Sequence, residues 1–329
     1  MIRPRGPHPL PLFLATISHV CGPDRARIAR ILAGLARYQT ARPPPPRPTR
    51  PEIARVGGVA LRACTATGTP LLVVPSLINP PDVLDLAPGQ SLLGHLAGAG
   101  FQPLLVDWGD TPEPLGLADL VEQRLVPLIA VLGQKLPALG YCLGGTLALA
   151  AARAGTITRL ALLATPWRFA AYGESGRQTL GQWWASAQPI AEPLGLVPMD
   201  LLQPAFWALD PEALANKFAQ LADADEAEVA AFARLEDWAN GGAPLSLAAA
   251  ADLAALFDGG ATGISGDVVP AIPILDVVAL RDRIVPAAAA LSRPGDAARL
   301  EIPSGHVGMV VGRSAPARLH APLAAFLAG

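Results

Sequence analysis

The segment Gly140-Tyr141-Cys142-Leu143-Gly144-Gly145 sets a cysteine between two glycines in the spacing G-x-C-x-G. An apolar run over residues 137–142 precedes it, and the helix-forming Thr146-Leu147-Ala148-Leu149-Ala150 follows. That is the context of a nucleophile elbow, a tight strand-to-helix turn whose central side chain points out of the sheet. The glycines are needed because flanking side chains would collide with the neighbouring strand and helix. A thiolate at this position also lies at a helix N-terminus, where the partial positive charge favours it. Cys142 is therefore the candidate nucleophile.

A cysteine nucleophile needs a base, and the chain offers His8, His19, His95, His306 and His320. His306 stands in Pro303-Ser304-Gly305-His306-Val307-Gly308, directly after a strand-like stretch at 298–302. His95 and His320 fall in helical patterns, which suit surface or core residues better. The third member should be an acid between nucleophile and histidine in the chain, the order that accompanies this elbow. Asp282, in Leu280-Arg281-Asp282-Arg283-Ile284-Val285-Pro286, follows an apolar run at 272–280 and is the best placed. Asp276 lies inside that run, and Asp258 and Asp267 lie in glycine-rich sequence. Asp282 would hold His306 in the right tautomer and stabilise the imidazolium. A tetrahedral oxyanion needs backbone donors: one is the amide after the nucleophile, Leu143, and the second is assigned to Leu77 in Pro75-Ser76-Leu77-Ile78-Asn79-Pro80-Pro81.

These residues must be positioned by a sheet. Residues 59–64 alternate as a half-exposed strand would, whereas 71–74, 103–106, 137–142, 160–164 and 272–280 are continuous apolar runs that suit strands buried on both faces. Residues 91–97, 117–132 and 146–153 have helical periodicity. The alternation predicts an α/β fold, a mostly parallel sheet with helices on both faces. Residues 166–260 break the rhythm: they are helical in pattern and hold Trp167, Trp183, Trp184, Trp207 and Trp238, which predicts an inserted helical cap over an active site. Residues 1–50 stand apart as a helical arm and proline-rich linker. A helix is expected over about 24–38, followed by Arg42-Pro43-Pro44-Pro45-Pro46-Arg47-Pro48, while the first twenty residues read equally as a poorly ordered tail. Residues 51–329 form the main domain.

Composition removes other classes. With 51% apolar and 16% charged residues in a chain of 329, intrinsic disorder is excluded for most of the length. Lys plus Arg (25) against Asp plus Glu (27) lacks the basic excess that nucleic acid would require. Cys21, Cys64 and Cys142 make neither a disulfide framework nor a zinc site, so a cytoplasmic, reducing location is expected. The charge-free residues 136–152 are broken by Gly140, Gly144 and Gly145 and read as strand, turn and helix rather than a membrane span. Arg3, Arg5 and the apolar run at 10–17 resemble a secretory signal faintly, but Pro9 and Pro11 intrude and no cleavage site follows. No cofactor or metal is implied, since there is neither a ligand cluster nor a dinucleotide loop.

Several motifs occur in the order seen in polyhydroxyalkanoate synthases. They are Val73-Val74-Pro75-Ser76-Leu77-Ile78-Asn79, Leu84-Asp85-Leu86, Ser91-Leu92, Val106-Asp107-Trp108-Gly109, the Cys142 box, Asp282-Arg283-Ile284-Val285-Pro286 and Gly305-His306-Val307-Gly308. The chain resembles the short, class III-type catalytic subunit over roughly residues 50–329. The resemblance implies an α/β-hydrolase fold and a Cys-His-Asp acyltransferase that loads a 3-hydroxyacyl group from coenzyme A onto Cys142, with His306 as base and Asp282 orienting it. It implies an acyl-CoA or ester substrate, a second synthase subunit or a homodimer, and association with polymer granules. It reads Asp85 as a structural hydrogen-bonder near the elbow and Trp108 as packing beside it. Esterases, thioesterases and depolymerases can use the same triad with water as acceptor, and the cap is poor in Lys and Arg that could meet coenzyme A phosphates.

Overall fold

The computed structural model describes residues 5–44, 49–259, 263–264, 269–293, 295–296 and 298–329. Pro45, Pro46, Arg47 and Pro48 of the proline tract, and Asp267, lie outside the described residues. Helices α1 (Leu10–Cys21) and α2 (Arg25–Thr40) precede strands β1 (Glu52–Val56), β2 (Val59–Ala63) and β3 (Thr69–Val74). A small ribbon of β4 (Asp85–Ala87) and β5 (Gln90–Ser91) leads into α3 (Leu92–Gly98) and β6 (Phe101–Asp107). Helix α4 (Leu117–Leu120) runs through a π-helical turn, Val121–Leu125, into α5 (Val126–Ala130). Then come β7 (Leu136–Tyr141), α6 (Leu143–Ala151), β8 (Ile157–Leu163) and the long α7 (Gly173–Leu194). Strand β9 (Leu196–Val197), helices α8 (Met199–Ala208), α9 (Pro211–Leu221) and α10 (Glu226–Ala239), strand β10 (Leu245–Ser246) and α11 (Leu247–Phe257) follow. The chain closes with β11 (Ile274–Ala279), β12 (Arg299–Ile302), α12 (Gly308–Val311), a second π-helical turn, Pro316–His320, and α13 (Ala321–Ala328).

Eight strands form one sheet in the order β1-β2-β6-β3-β7-β8-β11-β12. Contacts from β6 to β12 are parallel, and β2 runs antiparallel to both its neighbours. The strands' apolar runs explain this layout. Leu71 to Val74 in β3 and Leu160 to Leu163 in β8 are all fully buried, as strands covered on both faces must be. Parallel strands bring their C-terminal ends to one edge, so the loops after β3, β7, β8, β11 and β12 cluster there. The nucleophile, acid and histidine predicted from sequence lie on three of those loops. Among the described residues no helix is long and apolar enough to cross a membrane, and residues 136–152 form β7, the turn and α6.

Two compact units divide the chain: Met1–Pro48 with Pro198–Gly242, and Thr49–Val197 with Ala243–Gly329. The second contains the sheet. The first is helical, built from α1, α2 and α8 to α10. In α1 the buried residues Phe13, Ile17 and Cys21 recur every four positions, and in α2 Asp24 caps the first turn by accepting from the Arg27 amide. Phe13 meets Phe218 edge-on at 4.8 Å, and the Arg5 guanidinium grips Asp237 through two hydrogen bonds of 2.9 and 2.8 Å. Residues 10–21 are thus helical where the sequence read equally as a tail. The segment 166–260 is divided between the units, and it holds two short strands, β9 and β10, where periodicity showed none.

Candidate active site

Strand β7 ends at Tyr141 and α6 begins at Leu143, so one residue makes the whole turn. Cys142 takes it with φ 54° and ψ −131°, a left-handed strained conformation that few side chains adopt. Its amide donates to the Leu163 carbonyl of β8 at 2.9 Å, and its carbonyl accepts from the Gly145 amide at 2.9 Å. The three glycines are explained by what a Cβ would meet: Gly145 Cα at 2.3 Å from position 140, the Val74 and Pro75 carbonyls at 2.3 Å from position 144, and Thr165 Oγ1 at 1.9 Å from position 145. Helix α6 therefore presses against the end of β3 and the segment after β8. Cys142 is half-buried and free, at the first turn of α6.

Asp282 and His306 are delivered by adjacent strands. The Leu280 amide donates to the Ile302 carbonyl and the Arg281 amide to the Ser304 carbonyl, both at 2.9 Å, which zips the loop after β11 to the loop after β12. His306 Nδ1 then donates to Asp282 Oδ2 at 2.6 Å, with both side chains buried. Asp282 Oδ1 accepts from the amides of Ile284 and Val285 at 2.8 and 2.9 Å, so the carboxylate is fixed from both oxygens. The alternatives fall elsewhere. Asp276 is buried within β11 and accepts from the Ser292 amide and hydroxyl, both at 2.7 Å, and Asp258 caps the end of α11. His320 is buried with Nε2 3.0 Å from the Val310 carbonyl and its ring 5.3 Å from that of His95.

Leu143 opens α6, so its amide is among those a helix leaves without an intrahelical acceptor. Leu77 follows the Pro75 carbonyl, which Gly144 approaches on one side and the Trp108 indole N–H binds at 3.1 Å on the other. The loop that carries Leu77 is thereby held beside the elbow. Asp85 opens the small β4–β5 ribbon, where its oxygens accept from Ser91 Oγ and the Arg50 guanidinium, both at 2.6 Å. Two aromatic residues near the triad escaped the sequence analysis. The Tyr141 ring lies 5.1 Å from that of His306 and its hydroxyl donates to the His306 carbonyl at 3.4 Å. Tyr172 closes the short helical turn after β8, and burial first, then Cys142 and Asp282, hold its hydroxyl above the ordinary phenol value. Tyrosine in the variable position of G-x-C-x-G was visible; that it faces His306 was not.

No family model matches the sequence. Curated relatives do. The chain is 27% identical over 298 residues to the poly(3-hydroxyalkanoate) polymerase subunit PhaC of Haloarcula marismortui, covering 81% of this chain and 62% of that one. It is 26% identical over 285 residues to PhaC of Thiocystis violacea, covering 75% and 77%, and 30% identical over 186 residues to PhaC of Synechocystis, covering 51% and 49%. The chain spans between 39% and 62% of the length of the first relatives it matches. Among solved structures, a lipase in its open form is 18% identical with a TM-score of 0.50, covering 85% of this chain and 98% of the lipase. An epoxide hydrolase of the α/β-hydrolase superfamily from hot-environment metagenomes is 16% identical with a TM-score of 0.50, covering 86% and 100%. This chain is an α/β-hydrolase-fold homologue of PhaC polymerase subunits.

In this α/β-hydrolase fold, electrostatics concentrate on His306. Burial opposes its charge, but the neighbouring Cys142 and the hydrogen bond to Asp282 outweigh it and push its pKa from 6.5 up to about 10. Tyr141 and Tyr172 are pushed above the ordinary phenol value by burial first, then by Cys142 and Asp282. Both phenols therefore stay protonated throughout the working range. His306 thus keeps its ring proton, with the buried Asp282 carboxylate behind it and Cys142 as its neighbour.

Proposed function

We propose that the chain is an acyltransferase that carries 3-hydroxyacyl groups on Cys142, taking them from coenzyme A thioesters and passing them to a hydroxyl acceptor. The observation that carries this reading is the cysteine at the strained elbow of a chain that also pairs His306 with Asp282 and is similar to polymerase subunits. Cys142 attacks the thioester carbonyl with its proton taken by His306; the coenzyme A thiolate leaves and recovers that proton. An acceptor hydroxyl then gives its proton to His306 and attacks the Cys142 thioester, restoring the thiol. The oxyanion of each tetrahedral intermediate is received by the Leu143 and Leu77 amides.

The relatives are named as subunits, and by that analogy a second subunit, of this kind or another, completes the polymerase. Three free cysteines fit a reducing cytoplasm, with the protein at the surface of its polymer product. The test incubates purified protein with 3-hydroxybutyryl-CoA and follows free thiol, with mass spectrometry of the Cys142 peptide and of released products and Cys142→Ala as control. Acylated Cys142 with oligomeric hydroxyacids is expected. Monomeric hydroxyacid alone makes water the acceptor and the protein a thioesterase, and thiol release that persists in Cys142→Ala rejects covalent catalysis by this residue.

A further inference from the structure

The segment that follows β8 is tied to both catalytic loops. Thr146 Oγ1 of α6 donates to the Pro166 carbonyl at 2.7 Å, and the amides of Trp167 and Arg168 both donate to the Ala289 carbonyl, at 2.8 Å, on the stretch after Asp282. The segment ends in the helical turn Phe169–Tyr172, so Tyr172 is held between the nucleophile's helix and the acid's loop. Its ring stacks on Phe169 at 6.4 Å with an interplanar angle of 12° and meets Phe257 edge-on at 4.8 Å and 87°. Two aromatic walls leave that ring one orientation. The side chain is partly buried in the main core, yet among the described residues its hydroxyl has no hydrogen-bond partner. Tyr38 and Tyr141, the other two tyrosines, both spend their hydroxyls on protein acceptors, Asp237 and the His306 carbonyl. A phenol fixed between two rings on a segment tied to both loops, with its hydroxyl not spent on the protein, is a group available to a ligand oxygen.

We propose that the Tyr172 hydroxyl binds the 3-hydroxyl of the acyl group carried on Cys142 and makes the enzyme select 3-hydroxyacyl over unsubstituted acyl chains. In the acyl-carrier reading the thioester carbonyl oxygen goes to the Leu143 and Leu77 amides, which leaves the phenol for an oxygen further along the chain. Being neutral at working pH, the phenol can donate to or accept from that hydroxyl without bringing a charge beside the Cys142 sulfur and the Asp282 carboxylate. This inference rests on the acyl-carrier reading of Cys142.

The test compares wild type and Tyr172→Phe on two substrate pairs, 3-hydroxybutyryl-CoA against butyryl-CoA and the p-nitrophenyl esters of the same two acids, reading kcat/KM for acylation of Cys142. Phenylalanine preserves the ring between Phe169 and Phe257, and iodoacetamide titration of Cys142 counts folded sites in each preparation. Loss of one neutral hydrogen bond predicts about a tenfold fall for the 3-hydroxyacyl substrate and less than about a twofold change for the butyryl one. An unchanged ratio, or an equal fall on both, overturns the proposal. The ester pair separates it from the reading beneath it. Reaction with esters but not with thioesters rejects the coenzyme A donor while still testing Tyr172, and reaction with neither rejects both.

Discussion

Asp282 uses its two oxygens for different tasks, Oδ1 for the Ile284 and Val285 amides and Oδ2 for His306 Nδ1. An asparagine there keeps its oxygen on the two amides and turns its NH2 toward His306. Nδ1 must then accept rather than donate, which puts the ring proton on Nε2, the nitrogen needed to take the proton of Cys142. Asp282→Asn is therefore expected to fold normally and to lower kcat for Cys142 acylation by about 10³- to 10⁴-fold, read by stopped-flow thiol release. Activity within tenfold of wild type rejects Asp282 as the orienting acid. The raised pKa of His306 gives a second expectation. A group whose pKa is higher folded than unfolded adds stability that is complete below the unfolded value, near 6.5, and disappears as pH rises through about 10. The melting-temperature gap between wild type and His306→Gln should narrow steadily from pH 7 to pH 10.5, and a widening gap would show that the ring is held neutral. The placement of these side chains was legible because an elbow cysteine, a strand-end aspartate and a strand-end histidine follow one chain order. The surroundings of Tyr141 and Tyr172 were not, because they depend on which rings meet in space: Tyr141 and His306 are 165 positions apart.

At the scale of elements, the elbow is a packing problem solved by absent side chains. A Cβ on Gly144 would lie 2.3 Å from two backbone carbonyls of the β3 end, which cannot move without breaking the sheet, whereas a Cβ on Gly155 meets nothing within 4 Å. Gly144→Ala is expected to cost about 3 kcal/mol or more by urea unfolding. Gly155→Ala, at φ +77°, should cost only about 1 kcal/mol, the backbone penalty alone. Similar costs for the two would mean that α6 does not press on β3. The same physics decides which elements sequence could show. Interior strands reveal themselves as unbroken apolar runs, which stand within a few residues of β3, β6, β7, β8 and β11, whereas β2 showed as an alternating stretch and the edge strand β12 as the strand-like residues 298–302. The edge strand β1, Glu52-Ile53-Ala54-Arg55-Val56, is mostly exposed and carries charge, so no run marks it. Strands β9 and β10 are two residues each, too short for any period, and α1 hides between prolines that read as a tail.

The whole molecule shows a division of labour that no local pattern reveals: one unit is assembled from the N-terminal helices and from an excursion that leaves the sheet-bearing unit after β9 and returns before β10. Its core, with Phe13, Ile31, Tyr38, Trp207, Leu214 and Phe218, draws on both stretches, so neither buries its apolar face alone. Removing residues 1–48 by themselves strips α1 and α2 from α9, where Phe218 is fully buried, and should give an aggregating protein. Removing 198–242 as well takes that unit away entirely. The remaining ends are already paired, since Val197 stands opposite Leu245 and Leu196 opposite Ser246 in an antiparallel ribbon. Only Ala243 and Pro244 then join the strands, and replacing them with Asn-Gly supplies the two-residue turn such a ribbon favours. Helix α11 stays anchored, because Ser246 Oγ donates to the Leu115 carbonyl and Asp252 accepts from the Leu117 amide, both at 2.7 Å. The double deletion with Asn-Gly is therefore expected to be more soluble than the single one, to melt cooperatively in circular dichroism and to keep Cys142 alkylatable by iodoacetamide. If the doubly shortened chain is as aggregated as the singly shortened one, the sheet-bearing unit does not fold without the helical one, and the two-unit reading fails.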